Sequence, residues 1–360
     1  MEKAKISSLQ LFILILLFEL GSALLVPLAI DAKQDAWLSI LIAMINGFFV
    51  FLIFYQLYKY YPDILPTTYL QKIIGKFLGR IIAFTYIVYL LYLAARVLRD
   101  FGEMLAAVGY RETPLSINNL LLILIVSYSV RKGIEVLART GELFSIFIYF
   151  LAIMGFALIA FSSLIDLNKL RPILEHGLMP VLKVAFTQVI FFPFGEIFVF
   201  SMLFPYINNP KKVKLTVFLA LGLSGINLAI VTAVNVSVLG AATVSRSLFP
   251  LLTTIQAIEL GFLERLDIFF MLALIILGFF KISIYVYVAL IGTADLFNIK
   301  QPSKLAFPFG FVAWFFSLAV ASNVTEHFQE GLYVFPLYFQ LPFQIIFPSI
   351  ILIIAFLKNR

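Results

Sequence analysis

Phe191-Phe192-Pro193-Phe194-Gly195-Glu196 places a helix breaker, a glycine and a carboxylate in the middle of an otherwise apolar run. Proline removes a backbone donor and strains the turn before it, the glycine exposes backbone, and the glutamate carries a charge costing roughly 2.5 to 3.5 kcal/mol at a bilayer centre. In hydrocarbon such an interruption is tolerated only where it faces protein or a water-filled cavity. A second interruption, Glu19-Leu20-Gly21-Ser22 followed by Pro27, lies in the first apolar segment. Matched breaks in two halves of a chain are the sequence pattern of a transporter-type binding site.

The rest of the composition agrees with a membrane setting. The 360 residues are 62% hydrophobic and 12% charged, with a mean hydropathy of +1.06, more apolar than a soluble core requires. There is no cysteine, which removes disulfide and thiolate chemistry. The two histidines, His176 and His327, are expected in solvated loops, so no haem or zinc site and no cofactor is expected. Nor is an enzyme, because histidines, aspartate pairs and metal-ligand spacing are missing from the apolar segments. The net charge of +7 is dispersed over short loops, and therefore reports topology rather than a nucleic-acid partner.

At about 20 apolar residues per span, ten segments are expected, near 8–30, 36–58, 81–106, 117–135, 142–165, 181–206, 215–240, 266–293, 304–322 and 335–357. The charged start and apolar run to Ile30 resemble a signal peptide, but the run is too long and nine more segments follow, so it reads as a retained first helix. With both termini cytoplasmic, sixteen of the 26 basic residues, from Lys3 and Lys5 to Lys358 and Arg360, fall inside. Seven, among them Lys33 and Arg265, fall outside, and Glu259 and Glu264 lie at or beyond the outer boundary. The chain is thus expected to be one all-α transmembrane domain, 1–360, with one half near 8–165 and another near 181–357. The outer connections Asp166–Leu182 and Ala241–Arg265 read as structured, the first with a short interfacial helix and the second with a helix starting at Pro250.

Breaking a helix at mid-depth frees N–H groups on one half and C=O groups on the other, which attract carboxylates and cations respectively. The two breaks therefore suit a small zwitterion such as an amino acid, or a polar solute with a cation. The competing reading is that Gly21, Ser22 and Ala23 simply permit close helix packing. Lys281 in segment 8 needs a partner, and Glu19 and Glu196 are the candidates. It is read as an internal ion pair joining segments 1, 6 and 8, as a substitute for a coupling sodium ion, or as a receptor for a ligand carboxylate. Tyr285 lies one turn away on the same face. In segment 3, Tyr86, Tyr89, Tyr92 and Arg96 form an inward stripe followed by Arg99, Asp100 and Glu103, either lining a vestibule or stitching helices together. Arg96 is grouped with Glu19, Glu196 and Lys281 as a buried charge network. Trp37, Tyr58, Tyr60 and Tyr61 read as interfacial belt residues.

Several of these stretches together resemble the B subunits of nutrient germinant receptors (GerAB-type spore germination proteins), within the amino acid-polyamine-organocation superfamily. They are Phe18-Glu19-Leu20-Gly21-Ser22-Ala23-Leu24-Leu25-Val26-Pro27, Leu170-Arg171-Pro172-Ile173-Leu174 with Gly177 and Pro180, Gly195-Glu196, and Phe249-Pro250 before Glu264-Arg265. The resemblance implies a LeuT-like fold of two inverted five-helix repeats with helices 1 and 6 broken. It further implies a spore inner membrane location, nutrient sensing rather than bulk uptake, and assembly with an A subunit and a C-subunit lipoprotein. By position, the implied ligand-binding residues are Leu20, Gly21, Ser22, Ala23, Tyr89, Leu93, Pro193, Phe194, Gly195, Lys281 and Tyr285. Lys281 and Leu20-Gly21-Ser22 depart from the family pattern, so the nutrient itself does not carry over. The alternatives are a proton- or sodium-coupled amino acid permease and a scaffold with a vestigial pocket.

Overall fold

Ser7 starts the first helix. Its hydroxyl accepts from the Gln10 amide at 3.1 Å, while the Gln10 side chain accepts from the Ser7 amide at 2.9 Å, satisfying two of the free donors of a helix start. In this computed structural model, which describes residues 5–258 and 266–359, α1 (Ser8–Leu20) stops at Gly21, where φ is −19° and ψ −112°. Turns carry the chain to the short 3-10 stretch Ile30–Asp35 and then α2 (Ala36–Tyr60). Lys3, Arg265, Arg360, Glu259 and Glu264, which entered the topology count and the Phe249-Pro250 to Glu264-Arg265 motif, lie outside the described residues.

The remaining elements are α3 (Pro66–Ile74), α4 (Lys76–Met104), α5 (Leu115–Arg131), α6 (Ile134–Phe161), α7 (Leu178–Val184), α8 (Val213–Leu239), α9 (Ala241–Val244), α10 (Pro250–Gln256), α11 (Asp267–Phe297), α12 (Ala306–Ala319), α13 (Val324–Gln329) and α14 (Phe347–Lys358). Among the described residues the only strand-like pairing is a parallel bridge between Ile6 and Ile207. Among the described residues seven helices are long and apolar enough to cross a membrane, and an eighth span is available if the two pieces bent by 106° around residue 320 are one. The expected segments 1 and 4 are shorter apolar helices, Ser8–Leu20 and Leu115–Arg131.

Segment 6 is interrupted as Pro193 and Gly195 require, but its second half is not an α-helix. After α7 the chain widens into a π-turn at Ala185–Val189, turns through 190–193, and continues as a 3-10 stretch, Phe194–Met202. A 3-10 run of that length is uncommon and marks strain or a hinge. It is held by close packing: a Cβ on Gly47 of α2 would stand 2.7 Å from Phe194 Cβ, so the missing side chain at 47 admits the broken segment.

The last segment begins earlier than expected. Asn323 caps α13 by accepting from the Glu326 amide at 2.9 Å, and Glu326 accepts from the Ser322 amide at 2.8 Å. From there α13, π-turns through Glu330–Val334 and Pro336–Ile346, and α14 follow one another. The amphipathic α3, which buries Tyr69, Leu70 and Ile73, was not foreseen. Pro250 does open α10, and of the first outer connection only Leu167–Leu170 and the start of α7 are helical.

Candidate functional site

The two interruptions meet at Lys281. From the middle of α11 its stem crosses to the α1 break, where a Cβ on Gly21 would stand 2.7 Å from Lys281 Cδ and 2.8 Å from the Phe18 carbonyl. Its Nζ reaches Glu196 Oε2 at 2.6 Å, a buried ion pair. Lys281 and Glu19 are 0% exposed and Glu196 is 2%. The polar space expected between the breaks is thus filled by the lysine. An ion pair so deeply buried is far more strongly coupled than an exposed one and is costly to break.

The predicted ligand residues divide into groups. Gly21, Lys281 and Glu196 touch as described, and Tyr285 has its ring 4.9 Å from that of Phe18 and its hydroxyl within reach of Glu196. Ser22 is fully buried, and its hydroxyl and both Glu19 oxygens have no hydrogen-bond partner. Pro193 and Leu93 are buried, and the Pro193 carbonyl accepts from the Glu196 amide at 3.0 Å. Phe194, by contrast, packs on Gly47 of α2. Leu20 lines a lateral apolar cavity of about 410 Å³ between α6, α8 and α11, and Ala23 faces the cleft toward α8 and α10. These three meet other parts of the fold, because consecutive residues of a turn face different directions.

Tyr89 lies across Gly195 through a residue the sequence reading missed. Gln344 donates to the Tyr89 hydroxyl at 3.3 Å, and a Cβ on Gly195 would run into the Gln344 carbonyl oxygen. The Tyr89 ring stacks on Phe343 at 4.5 Å and on Phe198 at 5.8 Å. Gln340 and Gln344, four apart around Pro342 in an apolar stretch, were the available signal.

Arg96 does not belong to the Lys281 network. It donates to the His327 carbonyl at 2.7 Å, pairs with Glu330 at 3.4 Å, and stands 5.2 Å from the Phe335 ring. Beside it Arg99 pairs with Glu103 at 2.7 Å and donates to the Ser317 carbonyl at 3.2 Å. His327, expected in a solvated loop, is fully buried with Nε2 2.7 Å from Asp100 Oδ1. The early start of the last helical run at Asn323 carries it inward; His176 is exposed, 2.9 Å from Lys33. Of the expected belt, Tyr58 is buried against Phe204.

Replacing His327 with Leu leaves Asp100 buried and unpaired, and is expected to cost about 1–3 kcal/mol, whereas His176→Ala is expected to stay within about 0.5 kcal/mol. Thermal unfolding of the purified protein checks the pair; equal effects of the two substitutions would contradict this placement.

Comparison with known proteins adds independent observations. The family model described as spore germination protein matches residues 5–325. Spore germination protein KB of Bacillus subtilis is 47% identical over 361 residues, covering 100% of this chain and 97% of the relative. Spore germination protein A2 of the same organism is 28% identical, with 91% of each chain covered. In fold, the chain is similar to Mhp1, a nucleobase-cation-symport-1 family transporter solved in a closed conformation with bromovinylhydantoin bound. That likeness has a TM-score of 0.64 at 13% identity and covers 92% of this chain and 75% of the other. The architecture is therefore that of a LeuT-like membrane protein with helices 1 and 6 broken.

Proposed function

Because the chain belongs to the spore germination protein family, we propose that it acts as the B subunit of a nutrient germinant receptor, binding a small nutrient, an amino acid in our reading, at the Gly21–Lys281–Glu196 junction. The observation that carries this reading is that both interrupted segments converge on one buried lysine. Unpartnered buried side chains gather there, inside a fold shared with transporters. The halves 8–165 and 181–357 serve as the two repeats whose relative position the ligand biases. A ligand shifts that equilibrium only through different affinity for the two conformers. The A subunit then reads the change, with the C-subunit lipoprotein completing a complex in the spore inner membrane, both termini cytoplasmic. No catalytic step, metal or nucleic acid enters this account.

The transporter fold favours a second reading, a proton- or sodium-coupled amino acid permease using the same junction. Spores carrying Gly21→Val, Gly195→Val or Lys281→Met are expected to lose nutrient-triggered germination, while wild-type protein shows no uptake of labelled amino acid. Robust uptake favours the permease. Full germination in all three variants, with deletion still abolishing it, leaves only an assembly role.

A further inference from the structure

Around Lys281 the two broken segments build a receptor for an ammonium group, and the protein's own lysine occupies it. Nζ stands 4.8 Å from the Phe18 ring centroid, 4.7 Å from that of Phe192 and 2.6 Å from Glu196 Oε2. Two aromatic faces with a carboxylate are a recurrent means of holding an ammonium. Phe18 comes from the last turn of α1, while Phe192 and Glu196 flank Pro193, so both breaks contribute walls.

With both carboxyl groups ionised, the charges in this site do not balance. Glu19, one residue after Phe18, is fully buried and neither of its oxygens has a partner, yet it lies in the field of both Lys281 and Glu196. Two carboxylates share one ammonium. A buried carboxyl group without a partner is strongly unfavourable, and the hydroxyl of Ser22 beside it is also unpartnered. A proton on Glu19, or a second monovalent cation in its place, completes the set.

We propose that the site is an ammonium exchanger: the primary ammonium of an incoming small molecule takes the Phe18–Phe192–Glu196 cage, and Lys281 moves to Glu19. Each carboxylate then holds one cation; the proton that neutralises Glu19 beforehand is released, and no other bond changes. The exchange rests on the nutrient-pocket reading and assigns its ligand class, a small amine such as an amino acid. It also supplies the conformational readout. With Lys281 on Glu196, α11 is tied to segment 6; with Lys281 on Glu19, it is tied to α1.

Methylammonium chloride is the probe, with sodium chloride at equal ionic strength as the control, in thermal unfolding of the purified full chain. Wild-type Tm is expected to rise by about 5 °C at saturation, and Glu19→Gln to abolish the rise because the displaced lysine has no second carboxylate. In Lys281→Met the vacated cage takes methylammonium directly; Tm rises there too, and the Lys281→Met/Glu196→Gln double variant does not respond. A wild-type Tm that ignores methylammonium, or rises equally with sodium, overturns the exchange, whatever the folding of the variants. Failure of the two ideas is separable. Germination lost in Gly21 and Gly195 variants with a methylammonium-indifferent protein keeps the nutrient pocket and sinks the exchange. A methylammonium response with germination intact in those variants keeps the exchange and sinks the pocket.

Discussion

Lys281→Met is expected to lower stability by about 3–5 kcal/mol, because it strips the partner from a buried carboxylate. Glu196→Gln is expected to act in the same direction but less, because Lys281 keeps Glu19 as a second carboxylate. The double variant recovers most of the loss, since a buried pair exchanged for neutral groups of similar volume is often close to neutral. Arg139 and Glu135 provide the internal contrast: their contact is equally short at 2.6 Å, but the side chains are 70% and 45% exposed. Breaking that pair is expected to cost under about 1 kcal/mol, because water screens it. Thermal unfolding of the four variants in detergent gives the comparison, and a double variant as unstable as the worse single one would contradict direct pairing.

Gly195→Val carries the second large effect, and it falls on the response. A Cβ at 195 would stand 2.8 Å from the Ile190 carbonyl and collide with Gln344. The side chain can yield and the carbonyl cannot. Overpacking of this kind costs about 1–3 kcal/mol, and if it falls on the ligand-binding conformer it weakens apparent affinity by about tenfold or more. Nutrient dose–response curves of spore germination are expected to shift accordingly. Gln344→Ala in the same chain should relieve only the part of the loss that comes from the glutamine. Complete restoration by Gln344→Ala would show that the backbone contact is immaterial; an unshifted curve would remove Gly195 from the site.

The breaks and buried charges of the candidate site were legible because a buried charge and a proline inside an apolar run are costly wherever they fall, and the cost is written in residue identity. Pro193, Gly195 and Glu196, Gly21 beside Glu19, and Lys281 as the partner of a glutamate were all readable on that ground. Gln344 and His327 were not. Gln344 carries no charge, so its burial leaves a weaker mark. His327 follows Asn323-Val324-Thr325-Glu326, a helix-start pattern that places the residue inside the fold rather than in a loop. Arg96 was grouped with Lys281 because both are cations in apolar segments, but α4 presents it to Glu330 and the His327 carbonyl instead.

By itself the sequence determined that this is an all-helical membrane protein whose first and sixth segments break, since hydrocarbon leaves an unpaired backbone group or a lone charge no other solution. Only the tertiary structure decided which carboxylate holds the lysine. Glu19 and Glu196 are equivalent candidates along the chain. Glu196 receives Nζ because the 3-10 course of segment 6 brings its carboxylate and the Phe192 ring together at the far end of the Lys281 stem, and Glu19 is left without a partner. That choice depends on distances between segments remote in sequence, which residue spacing along one helix does not contain.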